Sequence, residues 1–96
     1  MAAYFIVDQQ GVSDPETMKT YAAGVGATVE RFGGKFVVRG GDPVTVEGDW
    51  PARRIIMLEF PDRAALNAWY DSPDYAELKA MRLASSSANV IAVDGV

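Results

Sequence analysis

The sequence contains no cysteine and no histidine. Without cysteine there are no disulfides, thiolate nucleophiles or zinc-thiolate and iron-sulfur sites. Without histidine the usual proton shuttle near neutral pH, the commonest metal ligand and the ordinary proximal haem ligand are gone as well. No alternating acidic loop of the calcium-binding kind occurs either, so the expectation is a chain that works with no cofactor and no metal site.

Positive charge is scarce too. Nine Lys and Arg stand against thirteen Asp and Glu, for a net charge of -4. That balance opposes the basic footprint that phosphate backbones demand, so nucleic acid is not expected as a partner. Arg53-Arg54 is the only adjacent basic pair, which leaves no polybasic patch for a membrane surface. No apolar run approaches the ~18 residues that would suggest a membrane span. The opening stretch Met1 to Asp8 has no basic segment ahead of its short apolar run, unlike a secretion signal, and the expected location is cytoplasmic.

What is present reads as one small domain over residues 1–96. A domain of this size buries only roughly 60 to 65% of its unfolded-chain surface, so further stability has to come from assembly. The most informative stretch is Arg54 to Phe60, apolar on both alternating faces and interrupted by the single acid Glu59. Ala3 to Gln9 has the same two-faced character, and both read as central strands.

Between and after them, punctuation sets the elements. Asp14 caps a helix with Pro15 in its first turn, or Ser13 and Glu16 form a capping box. Met18, Tyr21, Ala22, Val25, Val29 and Phe32 then make its apolar stripe, and Gly33-Gly34 ends it. Gly24 and Gly26 inside this helix suggest close packing on a sheet. Lys35 to Arg39 forms an edge strand with Phe36 and Val38 opposed to Lys35, Val37 and Arg39. Gly40 to Pro43 bends it, and Val44 to Glu47 resumes the pairing. Asp62 caps a helix with Ala65, Leu66 and Trp69 on its inner side; Ser72-Pro73-Asp74 breaks it and starts another carrying Tyr75, Leu78 and Arg82. Ser85 to Ser87 reads as a loop and Asn89 to Asp94 as the last strand.

The resulting order is strand, helix, strand, strand, broken helix, strand. With right-handed crossovers this is an α+β, ferredoxin-like βαββαβ arrangement with an antiparallel sheet, both helical units on one face and the first and third strands central. One helical layer covers one sheet face, yet the central strands are apolar on both. A second copy packed sheet against sheet is the expected cover, giving a two-fold homodimer with Trp50 at the contact.

The ordered set Asp14-Pro15-Glu16, Phe32-Gly33-Gly34-Lys35-Phe36, Arg39-Gly40-Gly41, Glu47-Gly48-Asp49-Trp50, Leu58-Glu59-Phe60-Pro61, Trp69-Tyr70 and Ser72-Pro73-Asp74-Tyr75 resembles the small bacterial domain-of-unknown-function family numbered 1330, over nearly the whole chain. The resemblance implies the dimeric alpha-plus-beta barrel superfamily, a fold shared with antibiotic-biosynthesis monooxygenases and muconolactone isomerases. It implies no reaction.

Candidate site residues follow from placement. Glu59 sits on the strand expected to be most buried, where an acid is either paired, with Arg39 or Arg82, or raised in pKa as a general base requires. Arg82, in line with Tyr75 and Leu78, points toward the sheet, where it either clamps a ligand oxyanion or makes a salt bridge. Tyr21, Trp69 and Tyr75 belong to inward stripes and are either core or the lining of a cleft. Neither glycine pair is followed by the lysine and hydroxyl residue of a phosphate loop. The expectation is a cleft between sheet and helices, with Tyr21, Arg39, Trp69, Tyr75 and Arg82 as ligand contacts for a small acidic or aromatic metabolite. If the chain is an enzyme, Glu59 would be the base and Arg82 the anion stabiliser of a cofactor-independent oxygenation or isomerisation; otherwise the same residues form a structural network in a non-catalytic module.

Overall fold

A computed structural model describes all residues, Met1 to Val96. The elements are β1 (Ala3–Val12), α1 (Pro15–Arg31), β2 (Lys35–Gly40), β3 (Arg54–Phe60), α2 (Arg63–Tyr70), α3 (Pro73–Ser85) and β4 (Ser86–Asp94). The strands form one antiparallel sheet in the order β2-β3-β1-β4, with the expected strands in the middle. This is the ferredoxin-like α+β arrangement, and all three helices cover the same face, giving a plate of 36 × 34 × 16 Å along its principal axes.

The helix starts are the ones the sequence marks. Asp14 caps α1, accepting from the Thr17 backbone N–H at 3.3 Å and from the Thr17 hydroxyl at 2.6 Å, so the aspartate and not the Ser13–Glu16 box makes the cap. Those bonds hold the Asp14 carboxyl below its ordinary pKa. Asp62 accepts from the Ala65 N–H at 2.8 Å to start α2, and Ser72 accepts from the Tyr75 N–H at 3.2 Å to start α3 while donating to the Trp69 carbonyl. One serine therefore ends one helix and begins the next.

On the helix-covered face, Phe5 and Val7 of β1 and Leu58 and Phe60 of β3 pack against Val25 and Val29 of α1, Leu66 and Trp69 of α2, and Tyr75 of α3. Trp69 is fully buried, edge-on to Phe5 at 5.1 Å between ring centroids and 4.2 Å from the Tyr75 ring. Its indole N–H reaches the Thr28 hydroxyl at 3.0 Å, which satisfies the one polar atom it takes into the core.

Four local expectations are corrected. Residues 41–53 form no strand. Gly40, Gly41 and Asp42 have φ of 90°, 67° and 47°, so three successive left-handed residues turn the chain off the sheet edge before Pro43, which has no N–H for a ladder. Ser85 to Ser87 is not a loop: α3 runs directly into β4, and the Ser86 hydroxyl and N–H both bond the Arg82 carbonyl to finish the helix. Gly24 meets Leu78 of α3, where an added Cβ would lie 3.3 Å from a Leu78 methyl, while Gly26 has nothing within 4 Å; neither packs on the sheet.

The fourth correction concerns β2. Phe36 pairs with Leu58 but Val38 pairs with Met57, so Val37 is the extra residue of a bulge. The alternation shifts by one there. Phe36 and Arg39 share the helix side and Lys35 and Val38 the other, and the Arg39 guanidinium lies 4.0 Å from the centroid of the Phe36 ring.

Candidate functional site: a cationic cavity between sheet and helices

Between α1, the end of α3 and the helix-facing side of the sheet lies a cavity of about 480 Å³. That is within the range of small-molecule sites, roughly 300 to 1,000 Å³. Its floor is Phe5, Val7, Phe36, Ile56 and Leu58, and its wall is Met18, Tyr21, Ala22, Val25 and Gly26 of α1. The helical repeat of α1 puts those positions on one side, and the glycine at 26 leaves room that any side chain would take up.

The charge of the lining runs against that of the chain. Lys19, Arg39, Arg54 and Arg82 line the cavity, and no Asp or Glu does. The ion pairs of the molecule join Lys19 to Glu16, Arg31 to Asp74, Lys35 to Glu59 and Arg63 to Asp94, so Arg39, Arg54 and Arg82 have no carboxylate within 4.0 Å. The β2 bulge puts Arg39 on the cavity side of the sheet, and Arg54, opposite Gln9, opens β3 on the same side two residues before Ile56; both are exposed where they line the cavity. Sequence reading singled out Arg39 and Arg82 but missed Arg54 and Lys19, whose only signal is their spacing on their own elements.

Arg82 is the buried member, 7% exposed. Its Nε–H donates to the Tyr75 hydroxyl at 3.2 Å, and that hydroxyl lies 2.8 Å from the Tyr21 hydroxyl. Burial works against the Arg82 charge, but the hydrogen bond to Tyr75 and the neighbouring Tyr21 and Tyr70 hydroxyls outweigh it, and the net shift is upward. Burial, reinforced by Tyr75 and opposed by Arg82, pushes the Tyr21 hydroxyl far above the ordinary phenol range. The guanidinium also acts on the Tyr21 hydroxyl, none of its nitrogens is both buried and unpartnered, and the side chain lines the cavity, so it presents N–H groups there.

The structure brings together Tyr21, Arg39 and Arg82 and separates the other candidates. Trp69 and Tyr75 are fully buried behind the cavity wall and do not line it. Glu59 lies on the opposite sheet face, beside Ile55 and Met57, with its side chain 29% exposed. It accepts from the Tyr4 hydroxyl at 3.0 Å and pairs with Lys35 at 3.4 Å, not with Arg39 or Arg82. The hydrogen bond and charge of Glu59 push the Tyr4 hydroxyl upward. A base at Glu59 and a clamp at Arg82 therefore cannot act on one molecule in this cavity.

That opposite face carries Tyr4, Ile6, Ile55, Met57, Ile91 and Val93, with Ile91 60% exposed. Asp8, also on it, is 9% exposed and accepts from the Trp50 indole N–H at 2.9 Å and the Gln10 amide at 2.7 Å, which tethers the 41–53 segment to β1. Nothing in the strand pattern distinguished Asp8, because its partner lies 42 residues away. No three acidic side chains gather where they could hold a metal ion.

A family model described as a domain of unknown function (DUF1330) matches residues 2–96. The chain belongs to the DUF1330 family. No curated protein matches it. Among solved structures, this DUF1330 chain is similar to the RPA0582 protein of unknown function from Rhodopseudomonas palustris, with a TM-score of 0.77 and 21% identity over 99% of this chain and 82% of that one. It is similar to a dimeric ferredoxin-like protein of unknown function from Jannaschia sp. CCS1, with a TM-score of 0.72 and 19% identity over 99% of this chain and 100% of that one. SnoaB, a cofactor-independent oxygenase from Streptomyces nogalater, matches with a TM-score of 0.64 and 16% identity over 99% of this chain and 93% of that one. At these identities the likeness is one of fold.

Proposed function

We propose that this DUF1330 protein binds a small organic anion with an apolar or aromatic body in the cavity between sheet and helices. One observation carries the reading: in a chain where acids outnumber bases thirteen to nine, the lining holds four bases and no acid, and three of the four have no carboxylate partner. Unpaired arginines around an apolar floor suit a ligand that brings its own negative charge. The cavity supplies no carboxylate, imidazole or thiol as a base, and its tyrosine is held protonated, so binding fits the residues better than proton abstraction.

The test uses 1-naphthoate and its neutral analogue 1-naphthalenemethanol, followed by calorimetric titration at neutral pH. Naphthoate is expected to bind at least about tenfold more tightly than the alcohol, the worth of one charge-assisted contact. Gly26→Leu is expected to remain folded, since nothing lies within 4 Å of an added Cβ, and to weaken naphthoate by at least about tenfold through filling the site. Equal binding of acid and alcohol, or unchanged binding by Gly26→Leu, would refute the reading.

We propose further that the working form is a homodimer closed over the open sheet face. The support is the apolar group Ile6, Ile55, Met57, Ile91 and Val93 without a covering layer, the exposed Trp50 beside it, and the dimeric assembly of the similar Jannaschia protein.

A further inference from the structure

The hydrogen-bond chain behind the cavity has a direction that the donor inventory dictates. A guanidinium has no acceptor, so Arg82 Nε–H donates to Tyr75 Oη. Tyr75 is fully buried and its hydroxyl has one other hydrogen-bond partner, the Tyr21 hydroxyl at 2.8 Å. The Tyr75 proton therefore goes to Tyr21 Oη. Were the bond reversed, the Tyr75 proton would be buried without an acceptor, at a cost of about 1 to 3 kcal/mol. Tyr21 Oη thus accepts from Tyr75, its own proton has no acceptor in the protein, and its ring lines the cavity.

We infer that Tyr21 and Arg82 form a donor pair that recognises a carboxylate of the ligand, the Tyr21 hydroxyl and a free Arg82 N–H each meeting one oxygen, with buried Tyr75 setting the direction of both. The inference rests on the anion-binding reading above and adds the chemical class of the anionic group. A planar carboxylate offers two charged acceptor oxygens, one for each donor, which matches two donors held by one shared partner; a neutral alcohol offers a single uncharged oxygen. Aligned bonds polarise one another, so the outermost donor is strengthened by the two behind it. The high pKa of Tyr21 is consistent with this role, because it keeps the proton on the hydroxyl across the neutral range. Tyr75 is a positioning residue, touching no ligand, and its effect reaches the cavity through the other two.

The experiment compares 1-naphthoate with 1-naphthalenemethanol in the full chain and in Tyr21→Phe and Tyr75→Phe. Each variant is expected to lower the preference for acid over alcohol by about five- to tenfold, the larger loss falling on the acid. The double variant is expected to lose little more than either single one, because both remove the same donor path. A purely structural role for Tyr75 would weaken both ligands equally. Naphthoate binding with an unchanged acid preference in Tyr75→Phe overturns the donor pair while the anion-binding reading stands. Failure of naphthoate to bind the parent chain overturns both. If Tyr75→Phe does not fold, Tyr21→Phe decides alone, an unchanged preference counting against the inference and a reduced one supporting it.

Discussion

Arg82→Met separates a binding residue from a structural one, and its magnitude can be worked from the surroundings of the guanidinium. The side chain is 7% exposed, donates one hydrogen bond to Tyr75 at 3.2 Å and has no carboxylate within 4.0 Å. Methionine keeps most of the apolar stem and removes the charge. The loss is one hydrogen bond from a charged donor, about 1.5 to 3 kcal/mol. The gain is relief from holding a cation partly out of water without a counter-ion, a penalty of several kcal/mol in a closed interior and less beside an open cavity. These terms are of similar size and opposite sign, so the net change in stability is expected within about 1 kcal/mol of zero.

For a domain of this length 1 kcal/mol moves the thermal midpoint by about 4 to 8 °C. The assay is thermal unfolding of the parent and variant, paired with naphthoate titration. The expected result is a midpoint inside that window and an affinity at least about tenfold lower. A fall in midpoint of more than about 15 °C would place Arg82 in a structural network and refute the reasoning. Arg82→Ala is a poorer probe, because deleting the stem adds a packing loss of its own.

Two further predictions address the other sheet face and the tyrosines. Ile91, on the edge strand β4 opposite Ile6 and 60% exposed, is expected to sit inside the dimer contact; Ile91→Lys should give a folded monomer by light scattering, and a parent chain that is itself monomeric at micromolar concentration refutes the contact. Burial raises the Tyr21 pKa above the ordinary 10.0, so its contribution to stability is complete below about pH 10 and is lost as pH rises, when the unfolded chain ionises and the folded one does not. Stability should fall by at most about 1.4 kcal/mol per pH unit from this group, and Tyr21→Phe should flatten the slope; parallel curves for the two proteins would show that Tyr21 is not protected.

How far the fold was legible follows from which signals are local. Caps and prolines act within four residues, so Asp14, Asp62 and Ser72 marked their helices correctly, and two-faced apolar runs placed β1 and β3 in the centre of the sheet. The misread stretches are those where a local signal has two outcomes. Val44 to Glu47 alternates like a strand, but the three left-handed residues before it aim it away from the edge. The serines at 85 to 87 look like a loop, yet a hydroxyl that caps a carbonyl lets a helix pass straight into a strand.

The site was less legible because faces are relative. Alternation says that Glu59 and Leu58 point to opposite sides, but nothing in β3 alone says which side meets the helices. The decision comes from Trp69, Val29 and Tyr75, which pack on Leu58 and Phe60 and leave Glu59 with Tyr4 and Lys35. Arg39 shows the converse. Strict alternation from Phe36 places it on the wrong side, and the single extra residue at Val37 carries its guanidinium around to the cavity. A one-residue bulge thus exchanges an arginine between a solvated edge and a binding site without altering the hydrophobic pattern. The acid that looked most functional therefore lies outside the cavity, and the unpaired cations inside it come from β2, β3 and α3, which only the folded chain brings together.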